Sequence, residues 1–190
     1  MSIKEIMRNG ALYADLGVEE LEAERLWCRK LTYAYNNTPP EDEPARQEIL
    51  KELLGSVGKD VFMEPPIRFA YGRNTHIGDF VYANFNLVVV DDVEVYIGSH
   101  VMFGPNVTIS VTGHPVEPSL RRDGTQFSRP VRISDDVWIG AGVIILPGVT
   151  IGKGSVIGAG SVVTRDIPPG VVAVGSPCRV LRTVTDADQK

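Results

Sequence analysis

Apolar residues recur in this chain at intervals of six. Ile133, Ile139, Ile145, Ile151, Ile157 and Val163 form an unbroken series, and Gly140, Gly152 and Gly158 directly follow three of them. Four positions beyond each stands a small or β-branched residue: Val137, Val143, Val149, Ser155, Ser161 and Ile167. An earlier block repeats the pattern with Ile77-Gly78, Ile97-Gly98, Phe103-Gly104 and Ile109, joined by Val81, Val101 and Val107. A period of six fits neither the 3.6 of an amphipathic helix nor the alternation of a half-buried strand. It is the period of a parallel β-helix, in which each hexapeptide is a short strand and a tight turn and three of them close one triangular coil of about 18 residues. The aliphatic residue points into the prism, glycine permits the turn where a Cβ would crowd, and stacked coils bury each other's apolar faces. An ordinary strand-rich sandwich would need six consecutive aliphatic residues to fall at equal intervals by chance.

The residues before this block read differently. From Ile3 to about Val57 the pattern is helical, and two short helices are expected. The first carries Leu21, Leu26 and Leu31 among charged residues and stops at Asn36-Asn37-Thr38-Pro39-Pro40; the second carries Ile49, Leu50, Leu53 and Leu54 and ends at Gly55. Helices this short need something to pack on. After Pro65-Pro66 the hexapeptide reading takes over. The chain therefore divides into a helical segment over 1–57, a β-helix over 58–180 and a tail over 181–190.

Composition narrows the partners. With 19 Lys+Arg against 24 Asp+Glu the net charge is −5, and no basic block is present, so neither nucleic acid nor an anionic membrane is expected. No apolar run approaches about 18 residues, and the N-terminus lacks the apolar stretch of a secretory signal. Cys28 and Cys178 lie far apart in no Cys-x-x-Cys spacing, which fits a reduced, cytoplasmic location.

The repeat breaks twice. Val89 to Ile97 spans eight residues instead of six, and the extra pair coincides with Asp91-Asp92. The larger break, over 110–132, lacks hexapeptide phase, holds Gly113, Pro115, Pro118 and Pro130, and is expected to protrude as a functional loop. Of the three histidines, His76 and His100 are read as structural or merely exposed. His114 stands at the entrance of the break, between a flexible glycine and a stiff proline; imidazole titrates near neutral pH, so His114 is the candidate general base.

The segments YANFN (82–86), VDD (90–92), VTGHPV (111–116), DDVWIGAGVIILPGVTIG (135–152) and VIGAGSVVTRDIPPGVVAVGSPCRV (156–180), with the N-terminal segment containing Asp15, resemble the galactoside and maltose O-acetyltransferases. The likeness spans nearly the whole chain. It implies a left-handed coil, although general crossover statistics favour the right hand. It further implies acetyl-CoA as co-substrate, no metal, a sugar or glycoside as acceptor, and a homotrimer with active sites between subunits.

Position by position, His114 matches the family's general base and Asn84 the asparagine that contacts the acceptor hydroxyl and stabilises the tetrahedral intermediate. Asp15 and Asp92 match carboxylates that accept from sugar hydroxyls. Trp138, Ala141 and Ala159 match the pantetheine groove, and Thr164, Arg165, Arg179 and Arg182 the region that meets nucleotide and phosphates. Two departures stand out: Ala70 occupies the place of a serine that touches the sugar in the galactoside enzymes, and Arg165 that of a common lysine. Competing readings are the same chemistry on another hydroxylated acceptor such as an antibiotic or oligosaccharide, a metal-dependent hydratase needing three convergent histidines, and a non-catalytic β-helix scaffold.

Overall fold

The hexapeptide series closes into a three-sided parallel β-helix, seen in a computed structural model that describes residues 1–188. The first face carries strands Ser56–Val57, Thr75–Ile77, Val95–Ile97, Val131–Ile133 and Thr150–Ile151. The second carries Phe62–Met63, Tyr82–Ala83, Met102–Phe103, Trp138–Ile139, Val156–Ile157 and Val171–Val174, closed by the antiparallel strand Arg179–Thr183. The third carries Ile67–Phe69, Leu87–Val90, Thr108–Ser110, Ile144–Ile145 and Val162–Val163. Ile139, Ile145, Ile151, Ile157 and Val163 are fully buried in the prism, as the sixfold spacing requires.

The glycines divide into two kinds. A Cβ on Gly140 would lie 2.6 Å from the Ala159 amide nitrogen of the next coil, so this glycine permits close stacking of backbones. The turn itself falls two residues later, where Gly142 adopts φ +68°. The residues directly after the aliphatics are therefore spacers between coils, and the reading that made them the turn residues is corrected.

Register shows what the breaks do. Phe62 pairs with Tyr82 and Tyr82 with Met102, coils of twenty residues, whereas Trp138 pairs with Val156 eighteen residues on. The two-residue extension at Asp91-Asp92 thus recurs one coil below, between Phe69 and Ile77. Asp91 fastens one extension over the other: it accepts from the Tyr71 N–H (2.8 Å), the Ala70 N–H (3.1 Å) and the Thr75 hydroxyl (3.0 Å). Met102 pairs with Trp138 across the larger break, so the stack resumes in phase after it.

Three helices, not two, precede the stack: α1 (Ile3–Arg8), α2 (Glu19–Asn37) and α3 (Glu43–Leu53). Ser2 and Glu5 form a capping box that starts α1, and Gly10 and Gly17, both at positive φ, separate it from α2. The buried stripe of α2 is Leu21, Cys28, Thr32 and Tyr35, while Leu26 is exposed. Tyr35 donates to the Met63 carbonyl (2.6 Å) and Asn36 clamps both polar groups of Ile67, so α2 closes the open end of the prism. Ser56–Val57 already pairs with His76–Ile77 and belongs to the stack, just inside the segment read as helical. Of the tail over 181–190, Leu181–Thr183 continue the last strand, and residues 189 and 190 lie outside the described residues. Among the described residues no helix is long and apolar enough to cross a membrane.

Candidate active site

The excursion expected over 110–132 is a hairpin confined to 111–130, because Ser110, Val131 and Arg132 still pair within the coils. Thr112–Gly113 runs antiparallel to Phe127–Ser128, and a 3-10 turn over Pro118–Arg121 forms its tip. Its base is tied to the N-terminal segment of the same chain: Tyr13 and Gln126 exchange both backbone hydrogen bonds, at 2.9 and 2.8 Å. The Tyr13 hydroxyl sits 2.6 Å from Ser128 Oγ, which lies 2.9 Å from Thr112 Oγ1. Burial pushes the Tyr13 hydroxyl up to about 12, so it stays protonated.

His114 follows this base and its ring is exposed in the protomer. Nδ1 lies 2.9 Å from the Thr125 carbonyl oxygen. A carbonyl can only accept, so Nδ1 carries the proton and Nε2 keeps the lone pair. Thr125 is held in turn by Asp123, which accepts from its hydroxyl (2.6 Å) and its N–H (3.2 Å). Arg121 donates to the Pro115 carbonyl at 3.0 Å and to that of Val116, bracing the loop beyond the imidazole.

Behind the hairpin the structure gathers a buried acidic cluster. Asp15 is 6% exposed and Asp92 9%. Asp15 is not a helix cap, since the residue capping α2 is Val18 and no side chain caps that helix. Its carboxylate instead accepts from Arg25 Nη1 at 2.6 Å, and the same nitrogen donates to the Tyr71 hydroxyl at 2.8 Å. Gln126 reaches Asp92 from the hairpin at 3.4 Å. Burial raises the Asp92 carboxyl above the usual range, and the Asp15 carboxylate adds to this, while the Thr112 hydroxyl and the Arg25 guanidinium oppose it. Ala70 directly follows the third-face strand Ile67–Phe69, beside Tyr71, its N–H taken by the Val89 carbonyl and Asp91.

Asn84 lies elsewhere. It stands before the third-face strand Leu87–Val90, at whose far end Asp92 sits, so one protomer does not bring the two together. The Asn84 Oδ1 accepts from the Phe85 N–H at 2.8 Å. Its corner continues up the stack: the Phe85 carbonyl accepts from the Asn106 N–H, that of Pro105 from Gly142, and that of Ala141 from Gly160. Ala141 and Ala159 therefore share one corner with Asn84, and Trp138, 55% exposed, borders it on the second face.

Thr164 and Arg165 follow the last third-face strand and are exposed. The Cys178 N–H donates to the Val162 carbonyl (2.8 Å) and draws Arg179 towards them. Arg182 is engaged by Asp188 through both guanidinium arms, so a phosphate there would have to displace that carboxylate.

Known proteins resemble this chain over its whole length. Residues 6–58 match the maltose acetyltransferase hexapeptide capping motif, and residues 130–165 match six repeats of the bacterial transferase hexapeptide. The galactoside O-acetyltransferase of Escherichia coli (strain K12) is 50% identical over 189 residues, covering 100% of this chain and 93% of that protein. This chain belongs to the galactoside and maltose O-acetyltransferase family. It is an acetyltransferase. A galactoside acetyltransferase in complex with coenzyme A superposes with a TM-score of 0.96 at 49% identity, covering 100% of this chain and 94% of that one. A maltose O-acetyltransferase from Clostridium difficile 630 superposes with a TM-score of 0.95 at 47% identity, covering 98% and 99%.

Sequence reading missed Arg25, Tyr71, Gln126 and Thr125, which hold the acidic cluster and the imidazole. Gln126 lies inside the break already singled out, but Arg25 looks like any charged residue on the outer face of a helix. His76 and His100 lie on the coils, stacked on Tyr96 (centroids 5.1 Å apart) and Phe80 (4.9 Å). Among the described residues no three His, Cys, Asp or Glu side chains converge as a metal-binding set.

Proposed function

We propose that this protein transfers the acetyl group of acetyl-CoA to a hydroxyl of a sugar or glycoside, directly and within a ternary complex. His114 Nε2 removes the hydroxyl proton as the oxygen attacks the thioester carbonyl. The oxyanion so formed receives a hydrogen bond from the Asn84 carboxamide. The carbon–sulfur bond then breaks, and the leaving thiolate takes the proton from the imidazolium. Asp15 and Asp92 accept hydrogen bonds from other hydroxyls of the acceptor, and Arg25 keeps the Asp15 carboxylate in place. Trp138, Ala141 and Ala159 line the pantetheine arm, with Thr164, Arg165, Arg179 and Arg182 towards the nucleotide and phosphates. Direct transfer is supported by both thiols: each is buried, and burial pushes Cys28 up to about 12, far from a usable thiolate.

The observation that carries the reading is the Nδ1 contact to the Thr125 carbonyl, which leaves the outer nitrogen of an exposed imidazole free to accept a proton. His114→Ala should lower turnover by roughly 10²–10⁴ with assembly unchanged; wild-type turnover in that variant removes His114 from the mechanism.

The coil is read as left-handed, the location as cytoplasmic and the assembly as a C3 trimer with Asn84 of one copy opposite His114 of another. The separation of Asn84 from Asp92 along one protomer supports that assembly. Ala70 favours a second reading of the acceptor: a methyl neither donates nor accepts, so the hydroxyl preferred here differs from that of the galactoside enzymes, and an oligosaccharide or hydroxylated antibiotic fits the same chemistry. A panel of acceptors followed by thiol release separates these.

A further inference from the structure

Beyond Tyr71 and Asp92, on the side of α1, lies a cavity of about 240 Å³. At about 30 Å³ per water it has the room of some eight waters, enough for one ring-sized group and not for an extended chain. Three cations stand around it: Lys4, Arg8 and Arg73. Lys4 is taken by Glu24 (2.6 Å) and Glu20 (2.9 Å), and Arg8 by Glu94 (2.8 Å). Asn74, also in the wall, gives its amide hydrogens to the Asp91 and Asp92 carbonyls at 2.8 and 3.1 Å.

Arg73 differs from its neighbours. Its guanidinium lies 3.9 Å over the Trp27 ring, and among the described residues no acceptor takes its N–H groups. A guanidinium seated on an aromatic ring with no acceptor on its N–H groups is available to the two oxygens of a carboxylate, sulfate or phosphate.

The cavity is joined to the acidic cluster by two residues. Tyr71 lines the cavity while its hydroxyl meets the Arg25 guanidinium that holds Asp15, and Asp92 belongs to both. We propose that the cavity receives the aglycone or second unit of the acceptor, and that Arg73 selects an anionic group on it. This rests on the sugar-acetylation reading above and extends it from the reacting sugar to what that sugar is attached to.

The test compares phenyl and 4-carboxyphenyl glycosides of galactose and glucose as acceptors, with thiol release as the readout. The wild-type protein should prefer the carboxyphenyl acceptors by about tenfold in kcat/KM, chiefly through KM, as a hydrogen bond to a charged group allows. Arg73→Ala should abolish that preference, Arg73→Glu should reverse it, and Arg73→Lys should keep part of it. Each value is a ratio within one preparation, so partial misfolding affects both acceptors alike. Acetylation of both acceptors without preference, or a preference that survives Arg73→Ala and Arg73→Glu, overturns the proposal alone. A wild-type protein that acetylates neither overturns the sugar reading and this proposal with it.

Discussion

Asn84 illustrates how one hydrogen bond decides what a side chain can do. The Phe85 N–H can only donate, so the atom 2.8 Å from it is the amide oxygen, and the nitrogen with its two hydrogens is left over. That nitrogen is the group the proposed oxyanion needs. Asn84→Asp keeps the shape and the bond to Phe85 but presents an acceptor where a donor was. Its kcat should fall about 10²- to 10³-fold, with much less change in KM for acetyl-CoA. A wild-type kcat would show that Asn84 makes no bond to the reacting atoms. At this scale the sequence was uneven in what it disclosed. His114 stood out as a candidate because Gly113 and Pro115 set it at a break in a regular repeat. Arg25 and Tyr71 were not, because nothing local distinguishes an arginine on a helix from one whose guanidinium bridges two buried oxygens; only the docking of α2 against the coils does that.

At the scale of the element, the repeat was readable and its exceptions were less so. The six-residue period identifies the prism, since no other arrangement buries every sixth side chain, but the twenty-residue length of the early coils hides in their weaker pattern. Asp91 is the polar group those longer coils bury. Desolvation raises its carboxyl to about 7, against donors from Tyr71 and Thr75 that pull it down. The unfolded chain releases that proton near 3.8, so between 3.8 and about 7 the folded state holds a proton that the unfolded state does not. Stability from this group is therefore full below the lower value and is lost as pH rises to and through the upper one. Urea unfolding at pH 5 and pH 8 should show a loss of more than about 1 kcal/mol attributable to Asp91, since each tenfold difference in proton affinity between the two states corresponds to about 1.4 kcal/mol. Asp91→Asn should flatten that slope; an unchanged slope would mean that the buried carboxyl titrates no differently from a free one.

At the scale of the molecule, the three faces are not alike. The first face turns His76, Tyr96 and Arg132 outward in a polar ladder, with the guanidinium 4.2 Å over the Tyr96 ring. The second and third turn out Met102, Trp138 and Ile144, at 54%, 55% and 39% exposure, and Phe85 stands 50% exposed on the corner between them. Apolar residues on two adjacent faces suit closure around a threefold axis, where each copy meets two others. The proposed closure would also answer a difficulty within the protomer: Asn84 and Asp92 flank opposite ends of the strand Leu87–Val90, yet the proposed reaction needs the Asn84 amide beside the imidazole. Co-expression of His114→Ala with Asn84→Asp distinguishes the arrangements. Each variant alone should be nearly inactive. If every site takes its imidazole from one copy and its amide from the next, random mixing leaves about a quarter of the sites with both groups intact, and turnover should recover towards that fraction. Mixed protein as inactive as its parents would place both groups in one chain, and the threefold arrangement of the site would be wrong.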